Sequence, residues 1–206
     1  MKPNFSEEKK CWGRGYRNVI GLDEAGRGPL AGPVVAAAVL VKRSSVSDLK
    51  FLGVNDSKKL SPKKRDEFYK ILTSHRAIKW GIGIVPEKVI DRINIKNASE
   101  LAMEKAIIKL KKKPDFLIID GNNIKNRKLK NTEHKLIVKG DSKVFSCAAA
   151  SILAKVKRDR IMIKFHKKYP KYRFDLHKGY PTKLHYRMIK KQGPCKIHRK
   201  SFVLHK

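Results

Sequence analysis

Four acidic residues follow apolar segments in a chain that is otherwise strongly basic. Asp23 and Glu24 come after the apolar run at 18–22, and Asp120 and Asp141 each end a later apolar run. Because α/β sheets place their sites at the carboxyl ends of strands, neighbouring strands would bring these carboxylates together. Such a cluster repels itself unless cations neutralise it, and all-oxygen ligands favour Mg²⁺ or Mn²⁺ over zinc. The pattern predicts a divalent-metal site of the kind that hydrolyses phosphodiesters.

A simpler interpretation exists for each of these acids. An aspartate that ends a strand is often a turn former or a helix cap, and for Asp141 alone this alternative stays open. Asp23 and Glu24 are less ordinary, because they are adjacent and a Gly-Arg-Gly sequence follows them. The remaining glutamates, such as Glu67, Glu100 and Glu104, are predicted to pair with lysines on exposed helices.

The charge of the chain indicates a polyanionic partner. The 206 residues carry 50 Lys+Arg against 18 Asp+Glu, a formal net charge of +32, and most of this excess lies beyond residue 100. So large a charge of one sign favours nucleic acid, with an anionic membrane surface second and a solvated helix surface as the alternative. The longest apolar stretch, 33–41, is about half the length of a membrane span.

The cysteines and the first residues predict a cytoplasmic protein. Cys11, Cys147 and Cys195 are far apart and form no C-x-x-C pair, so neither a zinc knuckle nor a disulfide framework is expected. The first 17 residues are mixed and charged, without the apolar core of a signal peptide.

The elements that must position the acids form a mixed α/β pattern. Strands are predicted at 18–23, 33–41, 77–85, 116–120 and 136–141, and helices at 61–74, 86–92, from Asn97 to Pro114, 145–168 and 182–191. The segment 42–59 is predicted to be a loop. This order predicts a mixed sheet with helical layers and a helical C-terminal appendage. The loop Gly26-Arg27-Gly28 after the first strand would let a nucleotide approach the backbone closely, although it could equally be a tight turn.

Several motifs together resemble the ribonuclease HII family over about residues 17–203. They are Gly21-Leu22-Asp23-Glu24-Ala25-Gly26-Arg27-Gly28-Pro29-Leu30-Ala31-Gly32-Pro33-Val34, Asn55-Asp56-Ser57-Lys58-Lys59-Leu60, Ile119-Asp120-Gly121, Lys139-Gly140-Asp141, Ala148-Ala149-Ala150-Ser151-Ile152-Leu153-Ala154-Lys155-Val156 with Arg158-Asp159, His177-Lys178-Gly179-Tyr180, and Gly193-Pro194 with His198-Arg199-Lys200-Ser201-Phe202. The sister family ribonuclease HIII fits less well, because it carries Gly-Lys-Gly in place of Gly26-Arg27-Gly28.

The resemblance implies a fold and an activity. The fold is α/β, a ribonuclease H-like mixed five-stranded sheet flanked by helices, with an N-terminal arm at 1–16, a catalytic domain at 17–165 and a basic helical extension at 166–206. The implied activity is metal-dependent cleavage of the RNA strand of RNA–DNA hybrids. It includes nicking on the 5′ side of ribonucleotides embedded in duplex DNA, which leaves 3′-OH and 5′-phosphate ends. A cytoplasmic monomer that acts in ribonucleotide removal, and that has no membrane partner, is expected.

The resemblance also implies roles for individual residues. Asp23, Glu24, Asp120 and Asp141 would be the catalytic ligands of Mn²⁺ or Mg²⁺ in a two-metal site. The loop residues Gly26, Arg27 and Gly28 would contact the ribose 2′-OH, which locally separates RNA from DNA. Tyr180 would stack on the sugar at the DNA side of the junction. Phosphate contact is expected for Asn55, Ser57, Lys58 and Lys59.

Other polar residues are expected to lie outside the catalytic set. Asp159 is predicted to form a salt bridge inside its basic helix, with indirect support of the acidic site as the alternative. His177, His185 and His198 are left out because their spacing fits no zinc pattern, and a histidine in a basic segment more often binds phosphate or packs. Pro181 stands where many relatives have glycine and could shift Tyr180 slightly. The rival interpretation is a non-catalytic, ribosome-associated basic protein whose acids are caps and turns.

Overall fold

A mixed sheet of five strands lies at the centre of the protein. The computed structural model describes residues 2–50, 57 and 60–202. The strands are β1 (Val19–Ala25), β2 (Val34–Val41), β3 (Ile78–Val85), β4 (Phe116–Asp120) and β5 (His134–Ile137), in the spatial order β3-β2-β1-β4-β5. The three strands β1–β3 pair antiparallel, whereas β4 runs parallel to β1 and β5 parallel to β4. The predicted mixed five-stranded sheet is confirmed.

The central strands are apolar because both faces of the sheet are covered. Every residue of β2 is buried, and its side chains alternate between two hydrophobic cores. Val35, Ala37 and Val39 face the first core, while Ala36 and Ala38 face the second. The acids of the sheet therefore stand at the ends of strands that are otherwise buried on both sides.

Eight helices surround the sheet in the described part of the chain. They are α1 (Ser6–Gly13), α2 (Val46–Lys50), α3 (Pro62–Ser74), α4 (Glu87–Leu110), α5 (Arg127–Lys130), α6 (Phe145–Lys168), α7 (Phe174–His177) and α8 (Lys183–Gln192). Helix α6 covers the first core and α4 the second. On β3, Gly81 and Gly83 admit α4 closely, because a Cβ at either position would meet the α4 backbone.

One prediction for the segments between the strands is wrong in part, and another is borne out as two helices. The segment 42–59 is not a loop throughout, since a 3₁₀ turn at Arg43–Ser45 leads into α2. Helix α2 is too short to show a helical period of apolar residues in the sequence, and it is stabilised by the burial of Val46 and Leu49. The helices predicted at 86–92 and from Asn97 are two parts of α4, which are separated by the non-helical residue Asn94. The Asn94 side chain accepts a hydrogen bond from the Asn97 N–H at 3.1 Å and so caps the second part.

The C-terminal part of the described chain forms a smaller core against the end of α6. Tyr172, Phe174 and Ile197 pack there with Met162 of α6 and Ala31 of the loop before β2. The predicted helical C-terminal part is confirmed, and it lies against the loop that follows β1. No helix among the described residues combines the length and apolar character that a membrane crossing requires.

Candidate active site

Three of the four predicted acids meet at one edge of the sheet. Asp23 lies on β1 and Asp120 ends β4, and the parallel register that pairs Leu22 with Ile119 places these two side by side. Asp141 joins them from a 3₁₀ turn, Gly140–Ser142, rather than from the end of β5, which stops at Ile137. One carboxylate oxygen from each of the three lies within 4.8 Å of the others. The turn brings Asp141 back toward the sheet after the strand has ended.

Backbone hydrogen bonds lock this arrangement. Asp120 Oδ1 accepts a hydrogen bond from the Gly140 N–H at 3.0 Å, and Asp120 Oδ2 accepts one from the Asp141 N–H at 3.4 Å. The Asp23 Oδ1 atom accepts one from the Glu24 N–H at 2.6 Å. Asp120 is therefore oriented by the backbone of the segment that carries Asp141, whereas Asp23 is oriented by the backbone of its own strand.

The electrostatics of the cluster fit a divalent cation. Burial raises the pKa of the Asp23 carboxyl well above its ordinary value, and the nearby Glu24 and Asp120 raise it further. Carboxylates this close repel one another, and a bound multivalent cation offsets that repulsion. The donor set contains only carboxylate oxygens, which suits Mg²⁺ or Mn²⁺. The residues present therefore fit the predicted metal.

Glu24 lies beside the cluster but is not part of the three-oxygen group. It lines the same cavity as Asp23 and Asp120, and its Oε1 forms an ion pair with Arg27 at 3.4 Å. The cavity has a volume of about 370 Å³. Besides these acids it is lined by the loop residues 25–28 and by Ser57, Gly121, Ser151, Lys155 and Tyr180. Acids, glycine loop and Tyr180 thus share one cavity.

A buried arginine, Arg199, binds the backbone of the glycine loop. Arg199 is fully buried, and its guanidinium donates to the carbonyl oxygens of Gly26 at 2.6 Å, Arg27 at 2.9 Å and Gly32 at 3.0 Å. Burial and, to a lesser extent, the nearby Arg158 lower the pKa of Arg199 to about 9. Gly26 has φ +100°, and a Cβ there would meet the Arg158 side chain, so both its conformation and its surroundings require glycine.

A second buried arginine, Arg158, connects the loop before β2 to the segment around Lys178. Arg158 of α6 donates to the carbonyl oxygens of Ala31 at 3.1 Å, Pro33 at 3.0 Å and Lys178 at 3.0 Å. One side chain therefore ties the loop before β2 to the segment that carries Tyr180. The sequence motifs contain Arg158 and Arg199, but a charge pattern predicts contact with phosphate for such residues. Their burial could not be foreseen, because their acceptors come from distant segments.

Tyr180 lies at the rim of the cavity, with 36% of its surface exposed. The Lys155 Nζ lies 5.3 Å and the Arg158 guanidinium carbon 5.5 Å from the centroid of its ring. The Tyr180 N–H donates to the carbonyl of His177 at 2.9 Å. Lys155 also forms an ion pair with Asp159 at 2.8 Å, which confirms the structural role predicted for Asp159.

The three C-terminal histidines are buried and fully hydrogen-bonded. His185 Nδ1 lies 3.0 Å from the Tyr180 carbonyl, which can only accept, so this nitrogen carries the proton. His185 Nε2 then accepts from His198 Nε2 at 3.1 Å, and His198 Nδ1 accepts from the Cys195 N–H at 2.9 Å. His177 in turn lies between the Tyr172 carbonyl at 2.7 Å and the Gly179 N–H at 3.1 Å. This network anchors both ends of the Tyr180 segment.

Burial also keeps the paired histidines neutral. It lowers the pKa of His185 to about 3 and that of His198 to about 4, and the neighbouring His177 contributes in the same direction. Both side chains therefore pack as neutral rings, as the exclusion from the catalytic set anticipated.

The remaining predicted residues are placed as follows. Ser57 is buried, and its Oγ lies 2.9 Å from the Oγ of Ser151, which borders the same cavity. Asn55, Lys58 and Lys59 lie outside the described residues. The sequence predicts Glu100 to be an exposed ion-pair partner, and this prediction is wrong. Glu100 is buried and accepts hydrogen bonds from the backbone N–H groups of Lys125 and Asn126, just before α5. Glu104 pairs with a lysine as expected.

Comparisons with known proteins agree with one another. A family model described as Ribonuclease HII matches residues 20–205. The chain is 49% identical over 199 residues to a Ribonuclease HII of Caldicellulosiruptor bescii, covering 97% of this chain and 93% of the relative. It is 52% identical over 196 residues to a Ribonuclease HII of Clostridioides difficile, covering 95% and 74%.

Solved structures show the same fold. The RNase HII in a complex with PCNA from Archaeoglobus fulgidus superposes with a TM-score of 0.74 at 25% identity, covering 92% of this chain and 96% of that one. The ribonuclease H2 of Pyrococcus horikoshii superposes with a TM-score of 0.73 at 26% identity, covering 91% and 94%.

Proposed function

Because the chain belongs to the ribonuclease HII family and is thus a ribonuclease H endonuclease acting on RNA–DNA hybrids, we propose that it also nicks duplex DNA at single ribonucleotides. The cut falls on the 5′ side of the ribonucleotide and leaves 3′-OH and 5′-phosphate ends. One observation carries this proposal: two members of the three-aspartate cluster, Asp23 and Asp120, line a cavity together with a rigidly held glycine loop and an exposed tyrosine. The acids supply the chemistry, and the other two features can select the junction.

We assign the divalent cations, Mg²⁺ or Mn²⁺, to Asp23, Asp120 and Asp141, with Glu24 as a fourth ligand beside them. Held by these residues, divalent cations would supply activation of the attacking water and stabilisation of the leaving oxygen. The protein contributes a cluster whose side chains are fixed in advance by backbone N–H groups, which lowers the cost of assembling the site.

The loop Gly26-Arg27-Gly28 is proposed to recognise the ribose 2′-OH. Arg199 occupies the carbonyl groups of Gly26 and Arg27, so the loop is held in one conformation. At Gly28 a Cβ would project into open space, because apart from its chain neighbours no atom of the described residues lies within 4 Å. A sugar can therefore approach the backbone closely at this position, where a hydroxyl can be tested for its presence.

Tyr180 and the basic residues are proposed to hold the duplex. The exposed ring of Tyr180 borders the cavity and can stack on the sugar at the DNA side of the junction. Phosphate contact is proposed for Asn55, Lys58 and Lys59, while the Ser57 hydroxyl is engaged with Ser151. The excess of lysine and arginine gives sequence-independent affinity through counterion release.

The wider organisation is proposed on the same basis. An N-terminal arm at 1–16 and a basic extension at 166–206 flank a catalytic domain at 17–165. We propose that the protein acts as a cytoplasmic monomer in the removal of ribonucleotides during DNA replication.

A cleavage assay tests the proposed function. The purified protein is incubated with a DNA duplex that contains one ribonucleotide, in Mg²⁺, in Mn²⁺ and without metal, with an all-DNA duplex of the same sequence as control. A single metal-dependent nick 5′ to the ribonucleotide, with a 3′-OH that a polymerase can extend, is expected. An intact substrate in both metals, together with cleavage of a long hybrid, would refute the junction activity. Salt-sensitive binding with no turnover on either substrate would favour a non-catalytic basic protein.

A further inference from the structure

The N-terminal arm contacts the start of α6, the helix that follows Asp141. The family model matches from residue 20 onward, so the arm lies outside it. Within the arm, Glu8 of α1 is 1% exposed although it is acidic. Its Oε1 accepts a hydrogen bond from the Ser146 N–H at 2.8 Å, in the first turn of α6. A buried carboxylate is costly unless it is bonded in this way.

Helix α6 has no cap of its own. Its N-cap residue, Val144, makes no side-chain hydrogen bond, and its first turn contains no acidic residue. A helix start needs acceptors for its free N–H groups and is stabilised by negative charge. Glu8 supplies such an acceptor from a helix that is 138 residues distant in the chain.

The arm also binds the segment between Asp141 and α6. Asn4 donates its N–H to the Lys143 carbonyl at 3.0 Å and accepts from the Phe145 N–H at 2.9 Å. The ring of Phe5 stacks on that of Phe145, with centroids 4.3 Å apart. The arm therefore contacts three residues of the segment 143–146, namely Lys143, Phe145 and Ser146, from one side.

This segment leads directly to the acidic cluster. The Val144 N–H donates to the Gly140 carbonyl at 2.8 Å and closes the turn that contains Asp141. Gly140 in turn donates to Asp120. Only one turn of backbone separates the residues held by the arm from the aspartate that completes the cluster.

We propose that Glu8 is a positioning residue for Asp141, and that the N-terminal arm thereby sets the affinity of the acidic cluster for divalent cations. This inference rests on the proposed function, which makes Asp141 a metal ligand. Glu8 itself does not contact the cation or the substrate. It acts by capping α6 and so fixing the turn before it.

The test measures Mn²⁺ binding to the full chain by isothermal titration calorimetry, without nucleic acid and well below the unfolding temperature. Glu8→Ala is expected to weaken binding by about tenfold, the usual order for a group that orients a metal ligand. Glu8→Gln keeps an oxygen that can accept from Ser146 and is expected to stay within about threefold of the unmodified protein. Leu110→Ala, in the core on the opposite face of the sheet, is the matched control for lost stability and should leave binding unchanged.

The outcomes separate the two proposals. If Glu8→Ala binds Mn²⁺ as tightly as the unmodified protein, the role of Glu8 is overturned. The role is also overturned if Leu110→Ala loses as much Mn²⁺ affinity as Glu8→Ala does. If the unmodified protein binds no Mn²⁺, or if Asp141→Asn binds as tightly, the metal site itself is misassigned. Should Glu8→Ala not fold, Glu8→Asp is measured instead, because its carboxylate is one methylene too short to reach Ser146. Unchanged binding in that variant overturns the inference as well.

Discussion

Replacing Arg199 with lysine tests whether the glycine loop depends on a buried guanidinium. In the structure, one planar group donates to three carbonyls, those of Gly26, Arg27 and Gly32. A lysine keeps the charge but cannot reproduce this three-way geometry, so it satisfies at most one of the three carbonyls well.

The magnitude follows from the number of bonds lost. A hydrogen bond from a charged donor contributes about 1.5–3 kcal/mol, and two are lost. Partial relaxation of the loop offsets part of this, so the free energy of unfolding should fall by about 2–4 kcal/mol, or roughly 10 °C in melting temperature. A loop that moves by about 1 Å can cost catalysis up to about a hundredfold. We therefore expect kcat/KM on a single-ribonucleotide duplex to fall between about tenfold and a hundredfold.

Three measurements check this prediction. Chemical denaturation gives the change in stability, steady-state cleavage gives kcat/KM, and Mn²⁺ titration reports on the acidic cluster, which Arg199 does not contact and which should be unaffected. The exposed Arg173, which pairs with Asp175, supplies the matched control Arg173→Lys. If Arg199→Lys melts and cleaves like the unmodified protein, Arg199 does not hold the loop in its active form. A loss of Mn²⁺ binding would show that the damage is not confined to the loop.

Three further predictions concern the cluster, the loop and the buried histidines. Asp120→Asn should abolish cleavage while hybrid binding, measured by fluorescence anisotropy, is retained; normal rates in saturating Mg²⁺ would contradict the ligand assignment. Gly28→Ala should leave the melting temperature unchanged, because its methyl group meets no atom of the described residues beyond its chain neighbours. It should nevertheless slow the nicking of single ribonucleotides, and an unchanged nicking rate would show that the ribose does not approach the backbone at Gly28. The pKa values of His185 and His198 are lowered to about 3 and about 4, so the unfolded chain binds more protons below pH 6.5. Stability should thus be complete above pH 6.5 and fall by up to about 1.4 kcal/mol per pH unit and histidine as the pH drops toward 4. Denaturation curves at several pH values should show that the free energy of unfolding depends less steeply on pH in His185→Gln. An unchanged dependence would refute the contribution of His185 to the loss of stability in acid.

The sheet and two of its acids could be predicted because their signals are local. The runs 19–22, 34–41 and 116–119, which form most of β1, β2 and β4, lack charged residues, and the parallel pairing of β1 with β4 then brings Asp23 to Asp120. The sequence predicts Asp141 at the end of a strand, whereas it lies in a 3₁₀ turn beyond β5. It still joins Asp23 and Asp120 as predicted, although a turn and not a strand carries it.

Buried charges could not be predicted from the sequence. Glu8, Glu100 and Arg199 look like ordinary surface residues, since nothing near them in the chain marks them as buried. Each is stabilised inside the protein by backbone groups of a remote segment, such as the Gly26 carbonyl for Arg199. Only the folded chain brings such partners together, which is why a pattern of charge predicts exposure for all three.

The dependence of the glycine loop on Arg199 also has a consequence for protein synthesis. A ribosome makes the three aspartates and the loop long before it reaches residue 199, so a nascent chain can assemble the sheet with its acids while the loop still lacks its guanidinium. With the role proposed for the loop, discrimination between RNA and DNA would then be completed after the acids are in place, and only once the late segment has left the exit tunnel. A translation product that stops before residue 199 would carry the acids without the guanidinium that holds the glycine loop.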